Sequence, residues 1–304
     1  MASGNYGDTW YSIGNITPHL YDMYSWDSQN RLFAANVNAL FEYDFVDEEW
    51  DTIVAGNFDD FHPCGTGVCA VRSDRSEDDC PASYPNSGIY KISPGGSWTR
   101  TMSSPCWAIS PINYGPGSTL IALAPYCTDL ADPSECSDGS HFYLSSTNGD
   151  SWVEQSSHTT VLWGITYATG DYYALWLTQV VGLQPMYTTT DITSWPVFPN
   201  YIDSTESAWN FVQEGTSAVW IEEVGGPANS YLYRTTHVTD PVAKFSVPGG
   251  SILHQLTIGS SYYWVATRDA AGGGLNGIYR SPDGDAWTEK LDGDFWTVEE
   301  SHFN

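Results

Sequence analysis

The sequence predicts an all-β fold, a six-bladed β-propeller of four-stranded antiparallel blades, and two observations carry that reading. Six tyrosines recur at a near-constant interval: Tyr43, Tyr90, Tyr143, Tyr187, Tyr233 and Tyr279, with spacings of 47, 53, 44, 46 and 46 residues. A period of roughly 40 to 50 residues belongs to propellers and solenoids rather than to a string of independent domains. Composition agrees, since 14 Trp, 20 Tyr and 28 Gly stand among 304 residues, only 15% of the side chains are charged, and no stretch keeps a helical period. The unbroken repeat makes residues 1–304 one domain.

Each repeat resolves into strands. Upstream of every tyrosine lies a short run rich in aromatic and β-branched residues: Leu32 to Asn36, Gly67 to Arg72, Thr119 to Ala124, Tyr172 to Leu177, Ala218 to Glu222 and Tyr262 to Thr267. A further run precedes these, including Pro105 to Ile109, Thr160 to Tyr167, Ala208 to Gln213 and Ile252 to Ile258. Downstream, five of the tyrosine strands turn into a tryptophan seven to nine residues on: Trp50, Trp98, Trp152, Trp195 and Trp287. Phe245 stands in for it in the fifth repeat. That makes four strands per repeat, the content of a propeller blade.

The turn before the tryptophan has its own signature. Ser146-Thr-Asn-Gly-Asp-Ser-Trp152, Thr189-Thr-Asp-Ile-Thr-Ser-Trp195 and Ser281-Pro-Asp-Gly-Asp-Ala-Trp287 share a hydroxyl residue first, Asn or Asp third and Trp seventh. Asx and Gly residues supply the local hydrogen bonds and positive φ angles that such turns need. The stretch resembles the Asp-box hairpin of sialidases and related propellers, and Ile92-Ser-Pro-Gly-Gly-Ser-Trp98 is a degenerate copy. The resemblance implies architecture alone: in that family the boxes lie on the face opposite the active site.

Ring closure has two readings. Asp8-Thr-Trp10 looks like another fourth strand, and Phe295 to Phe303 looks like another first strand, so the two ends amount to half of a seventh blade. Residues 1–14 are expected either to clasp the sixth blade or to pair with a neighbouring subunit. Six blades are the expectation and seven the alternative.

Thirty-seven acidic residues against ten Lys and Arg give a formal charge of −27. Such a surface repels phosphate, which excludes backbone binding to nucleic acid and disfavours anionic membranes. Neutral glycans, proteins and cations remain as partners. Clusters such as Asp44 to Asp51, Asp74 to Asp79 and Asp129 to Asp138 make calcium conceivable, but none has the spacing of an EF-hand loop, so no cofactor is expected.

All six cysteines fall between residues 64 and 136. Their even number and clustering in loops predict disulfides: Cys64 with Cys69 across a short turn, and Cys80 with Cys106 and Cys127 with Cys136 on the opposite face. No Cys-x-x-Cys pair favours zinc. Oxidised cysteines beside an N-terminus with neither a basic region nor an apolar stretch point to a virion or extracellular protein. No apolar run is long enough to span a membrane.

Catalytic signatures are missing. No Gly-x-Ser-x-Gly elbow or His-Glu-x-x-His helix occurs, and acidic pairs such as Asp59-Asp60 or Glu222-Glu223 are too common here to mark a glycosidase. The seven arginines do not mark the triad that sialidases close on their substrate; Arg234 and Arg280 sit beside repeat tyrosines, a structural placement. His19, His62, His158 and His254 fall in or near first strands. The long loops Ser73 to Asn86 and Tyr126 to Ser140 enlarge one rim of the ring, with Tyr84, Trp107, Tyr126, Asp129 and Asp132 as candidate ligand-binding residues. The expected function is therefore non-enzymatic recognition of a glycan or protein, with a propeller-class glycoside hydrolase acting on a neutral glycan as the alternative.

Overall fold

The structure, a computed structural model, describes residues 8–10, 12–14, 16, 20–72, 86–103, 112–125, 140–158, 162–168, 170–176, 186–196, 208–214, 216–223, 230–237, 242–246, 252–259, 261–268, 276–293, 295, 297 and 298. Its strands form six antiparallel sheets, each a meander in chain order. The first holds β1 (Asp22–Trp26), β2 (Arg31–Ala35), β3 (Ala39–Asp44) and β4 (Glu49–Ala55), and the second β5 (Phe58–Cys64), β6 (Gly67–Arg72), β7 (Gly88–Ile92) and β8 (Thr99–Ser103). The third holds β9 (Asn113–Tyr114), β10 (Leu120–Pro125), β11 (Ser140–Ser145) and β12 (Val153–His158). The fourth shows β13 (Leu162–Ala168), β14 (Asp171–Trp176) and β15 (Met186–Thr189). The fifth holds β16 (Ala208–Glu214), β17 (Ser217–Glu223), β18 (Ser230–Thr235) and β19 (Ala243–Ser246), and the sixth β20 (Ile252–Ile258), β21 (Tyr263–Arg268), β22 (Gly277–Ser281) and β23 (Thr288–Asp292).

Every repeat tyrosine lies on the third strand of its sheet, and the apolar runs upstream are the second strands. Second strands are buried on both faces where a sheet packs between two others, and on the sixth sheet the outward face is covered by Trp10, Phe295 and Val298; β6, for example, reads Val68, Cys69, Ala70 and Val71 without one exposed residue. The expected first strand Pro105 to Ile109 lies outside the described residues; the described first strand of the third sheet is Asn113–Tyr114. His158 ends β12, four residues before the next blade's first strand opens at Leu162.

The turns between third and fourth strands carry the expected bonds. Asp283 Oδ1 accepts from the Asp285 and Ala286 amides at 3.0 and 3.1 Å, while Ser281 Oγ accepts from the amides of Asp283 and Gly284. Asp191 repeats the pattern with the Thr193 amide at 3.0 Å. In the third sheet the hydroxyl partner is Ser145 rather than Ser146, and Thr147 Oγ1, not Asn148, accepts from the Ser151 amide at 2.9 Å. Four of the tryptophans pack on the preceding sheet: Trp98 meets Phe33 edge-on with ring centres 5.5 Å apart, and Trp195 stacks on Phe142 at 4.6 Å. Trp152 Nε1 donates to Thr101 Oγ1 at 3.3 Å, and Trp287 Nε1 to the Ser246 carbonyl at 3.1 Å.

Cys64 and Cys69 form the expected disulfide across the β5–β6 turn, and both are fully buried. Blade-to-blade packing buries it, because Gly149 of the third sheet's turn lies over it at φ +84°, where a Cβ would stand 2.7 Å from Cys69 Sγ. Cys80, Cys106, Cys127 and Cys136 lie outside the described residues.

The chain ends bond within the chain. Trp10 Nε1 donates to the Lys290 carbonyl at 3.1 Å, Lys290 Nζ pairs with Asp8 at 2.6 Å, and Trp50 Nε1 donates to the Ile13 carbonyl at 3.0 Å. Val298 is buried against Trp264, Ala266 and Ile278 with Trp10 and Phe295 around it. No helix among the described residues is long and apolar enough to cross a membrane.

Candidate functional site

The first strands carry a polar cluster that links neighbouring sheets. Asp22 opens β1, and its two carboxylate oxygens accept from the Phe61 amide of β5 at 2.8 Å and from Gln255 Nε2 of β20 at 2.9 Å. One side chain therefore touches the sheets on either side of its own. Asp60 of β5 reaches onward to the third sheet, where the Ile112 amide donates to it at 3.3 Å. Asp60 and Gln255 hold equivalent places: each follows a bulge in its first strand and pairs with the residue just after the partner of the repeat tyrosine. A bulge turns a side chain out of the regular alternation, which lets a polar group in an inner strand reach the next strand.

Burial sets the electrostatics. Loss of hydration pushes the Asp22 carboxyl up to about 7, against the opposing pull of the Phe61 and Met23 amides and Gln255. Asp60 lies well above the usual carboxylate range because of burial and the Asp22 charge beside it. The pair thus keeps a proton towards neutral pH. His62, also on β5, is driven down to about 3 by burial and is neutral; its ring meets Tyr114 edge-on at 4.8 Å.

A second cluster joins the fifth and sixth sheets. The Tyr263 hydroxyl donates to Glu214, whose other oxygen lies 3.1 Å from Arg234 Nε. Burial and the Glu214 charge push Tyr263 far above the ordinary phenol value, so its hydroxyl keeps its proton. Arg280 lies over Tyr262, 4.2 Å from the ring centre. Arg234 and Arg280 are thus engaged between and along sheets, as their places beside the tyrosines suggested.

Tyr84, Trp107, Tyr126, Asp129 and Asp132 lie outside the described residues, as do the acidic clusters at 74–79 and 129–138. Of the acidic clusters, Asp44 to Asp51 is described: Asp44 Oδ1 accepts from the Val46 and Asp47 amides of its own turn at 2.7 and 3.2 Å. No three His, Cys, Asp or Glu residues converge to hold a metal among the described residues. Sequence reasoning missed the Asp22, Asp60 and Gln255 cluster; its one signal was acid inside an otherwise apolar first strand, as in Phe58-Asp-Asp-Phe61.

No protein-family model matches this chain, and no curated protein matches it in sequence. Solved structures do resemble it. An oligogalacturonate lyase in complex with manganese superposes with a TM-score of 0.61 at 12% identity, covering 93% of this chain and 80% of its own. The oligogalacturonate lyase of Vibrio parahaemolyticus gives 0.62 at 9% identity over 90% and 78%. The β-propeller domain of the Trilobed protease from Pyrococcus furiosus, described as having an open velcro topology, gives 0.56 at 11% identity over 90% and 83%. The fold is a β-propeller. At these identities the likeness shows the fold alone, and in this propeller the first strands are the inner ones, so the Asp22 cluster lies at the hub.

Proposed function

We propose that this six-bladed propeller is a non-enzymatic binding or structural component, working on a virus particle or otherwise outside the cell, that recognises a neutral glycan or a protein. The carrying observation is the use made of the hub carboxylates. Both oxygens of Asp22 and one of Asp60 accept bonds that tie one blade to the next, which favours a framework role over presentation to a substrate. Tyr263, whose hydroxyl meets Glu214 with Arg234 on that carboxylate's other oxygen, keeps its proton and is a poor nucleophile. Recognition is assigned to the rim loops, with Tyr84, Trp107 and Tyr126 as stacking residues and Asp129 and Asp132 as hydroxyl acceptors. Stiffening by disulfides lowers the ordering cost of binding. The net charge of −27 favours neutral or cationic ligands.

Carbohydrate cleavage is the second reading, favoured by the resemblance to two proteins named as oligogalacturonate lyases. A diverse glycan array separates the two, read for retained protein and, by mass spectrometry, for cleaved sugar. Retention without cleavage supports the binding reading and cleavage the enzymatic one. Silence on both counts against glycan recognition and leaves protein contacts.

A further inference from the structure

We infer that the ring is closed by a half-blade assembled from two distant parts of the chain: Asp8, Thr9, Trp10, Ser12 and Ile13 stand where a seventh blade would have its fourth strand, and Thr297 and Val298 where its first strand would begin. Two sets of analogous contacts carry this. In the second and third blades, Trp152 Nε1 reaches across to the hydroxyl of Thr101, the third residue after Trp98, and in the fifth and sixth Trp287 Nε1 reaches the Ser246 carbonyl, one residue after Phe245. Across the closure Trp10 Nε1 donates to Lys290, the third residue after Trp287. Trp50 Nε1 in turn donates to Ile13, the third residue after Trp10. Trp10 therefore behaves as the next tryptophan after Trp287, and Ile13 as part of the outer strand on which Trp50 leans.

The inner end follows the same rule. Asp60 receives the Ile112 amide, which immediately precedes the first strand of the next blade. Gln255, in the equivalent place on β20, receives the Val298 amide at 2.9 Å and also the Thr297 hydroxyl. The path to Val298 runs across the end of the sixth blade, from Gly293 on the Asn276 carbonyl to Phe295 on that of Thr267, as a link to a following blade must. Gln255 then joins this end to the start of the ring through Asp22. The sixth blade's outward face is covered: Trp264 and Ile278 are only 4% and 3% exposed, with Trp10, Phe295 and Val298 against them. The half-blade is thus a filled wedge and a non-covalent strap.

The test is chemical cross-linking of wild-type protein mixed from unlabelled and 15N-labelled batches. A carbodiimide condenses the Asp8 carboxylate with the Lys290 amine, losing water, across their 2.6 Å ion pair. Cross-linked peptides should be wholly light or wholly heavy; mixed pairs, or no such pair, would overturn the inference. Trp10→Ala and Gln255→Ala extend it. Trp10→Ala should lower Tm by roughly 5 °C or more, and both variants should speed hydrogen exchange in β1–β4 and β20–β23 while leaving β10 and β11 protected. Exchange spread evenly over all six sheets, or left unchanged, would equally sink it.

Discussion

At the residue scale the hub carboxylates set an unusual response to pH. Asp22 has a folded value raised to about 7 from 3.8, so the folded chain takes up a proton that the unfolded chain releases. Its contribution is fully present below about pH 4 and is lost as pH rises towards 7. The turn acids have the opposite sign. Backbone amides hold Asp283 and Asp191 below the usual carboxylate value, so their contribution is present above about pH 4 and falls away on further acidification. His62 opposes Asp22 over the same range: held neutral by burial with its value lowered to about 3, it contributes above about pH 6.5 and loses that contribution as pH falls. Tm should therefore be nearly flat between about pH 4 and 7 and fall below about pH 4, read across a pH series. Asp22→Asn keeps one acceptor and sets its NH2 group against either the Phe61 amide or Gln255 Nε2, so it should lower Tm at pH 4 and cost less at pH 8, where the wild-type carboxyl is buried and charged. The hub was poorly legible in the sequence: Asp60 and Gln255 face the next blade only because a bulge precedes each, and a bulge leaves no fixed residue pattern.

At the element scale, the turns between third and fourth strands carry the tryptophans that pack one blade on the next. Tyrosine and tryptophan spacing located these turns because the aromatic residues are the packing units themselves. Their internal bonding was less legible. The third sheet inserts one residue, which shifts the hydroxyl role to Ser145 and the acceptor role to Thr147, and leaves Asn148 against Gly65. The Cys64–Cys69 pair was legible because a five-residue separation across a hairpin brings the two side chains together. What covers it came only from the fold. Gly149→Ala would place a methyl group against Cys69 Sγ and force an alanine to a φ of +84°, and it should cost about 1–3 kcal/mol by chemical denaturation. Lys91 and Asp150 join the same two blades at 2.6 Å, with the Lys91 side chain only 8% exposed; Asp150→Ala should cost about 1–2 kcal/mol, more than an exposed pair, because it removes the partner of a buried ammonium.

At the scale of the whole molecule, a charge of −27 repels itself across the entire ring. Raising salt from about 0.05 to about 0.5 M shortens the Debye length severalfold and should raise Tm, most clearly at pH 8 where the hub is also charged. A Tm flat in salt would mean that the acids are already neutralised locally. The bond from Trp10 to Lys290 spans 280 residues, and it bears on how the protein is made. Trp10 is made 280 residues before its acceptor, which follows only when synthesis has passed the strands between them. Until then Trp10 is unmet and the sheet face it covers is bare. Blades can stack as they emerge, but the circle closes only once Lys290 has been made, and chains cut short before it are left as open arcs with exposed apolar faces, the kind of species that chaperones hold and proteases remove.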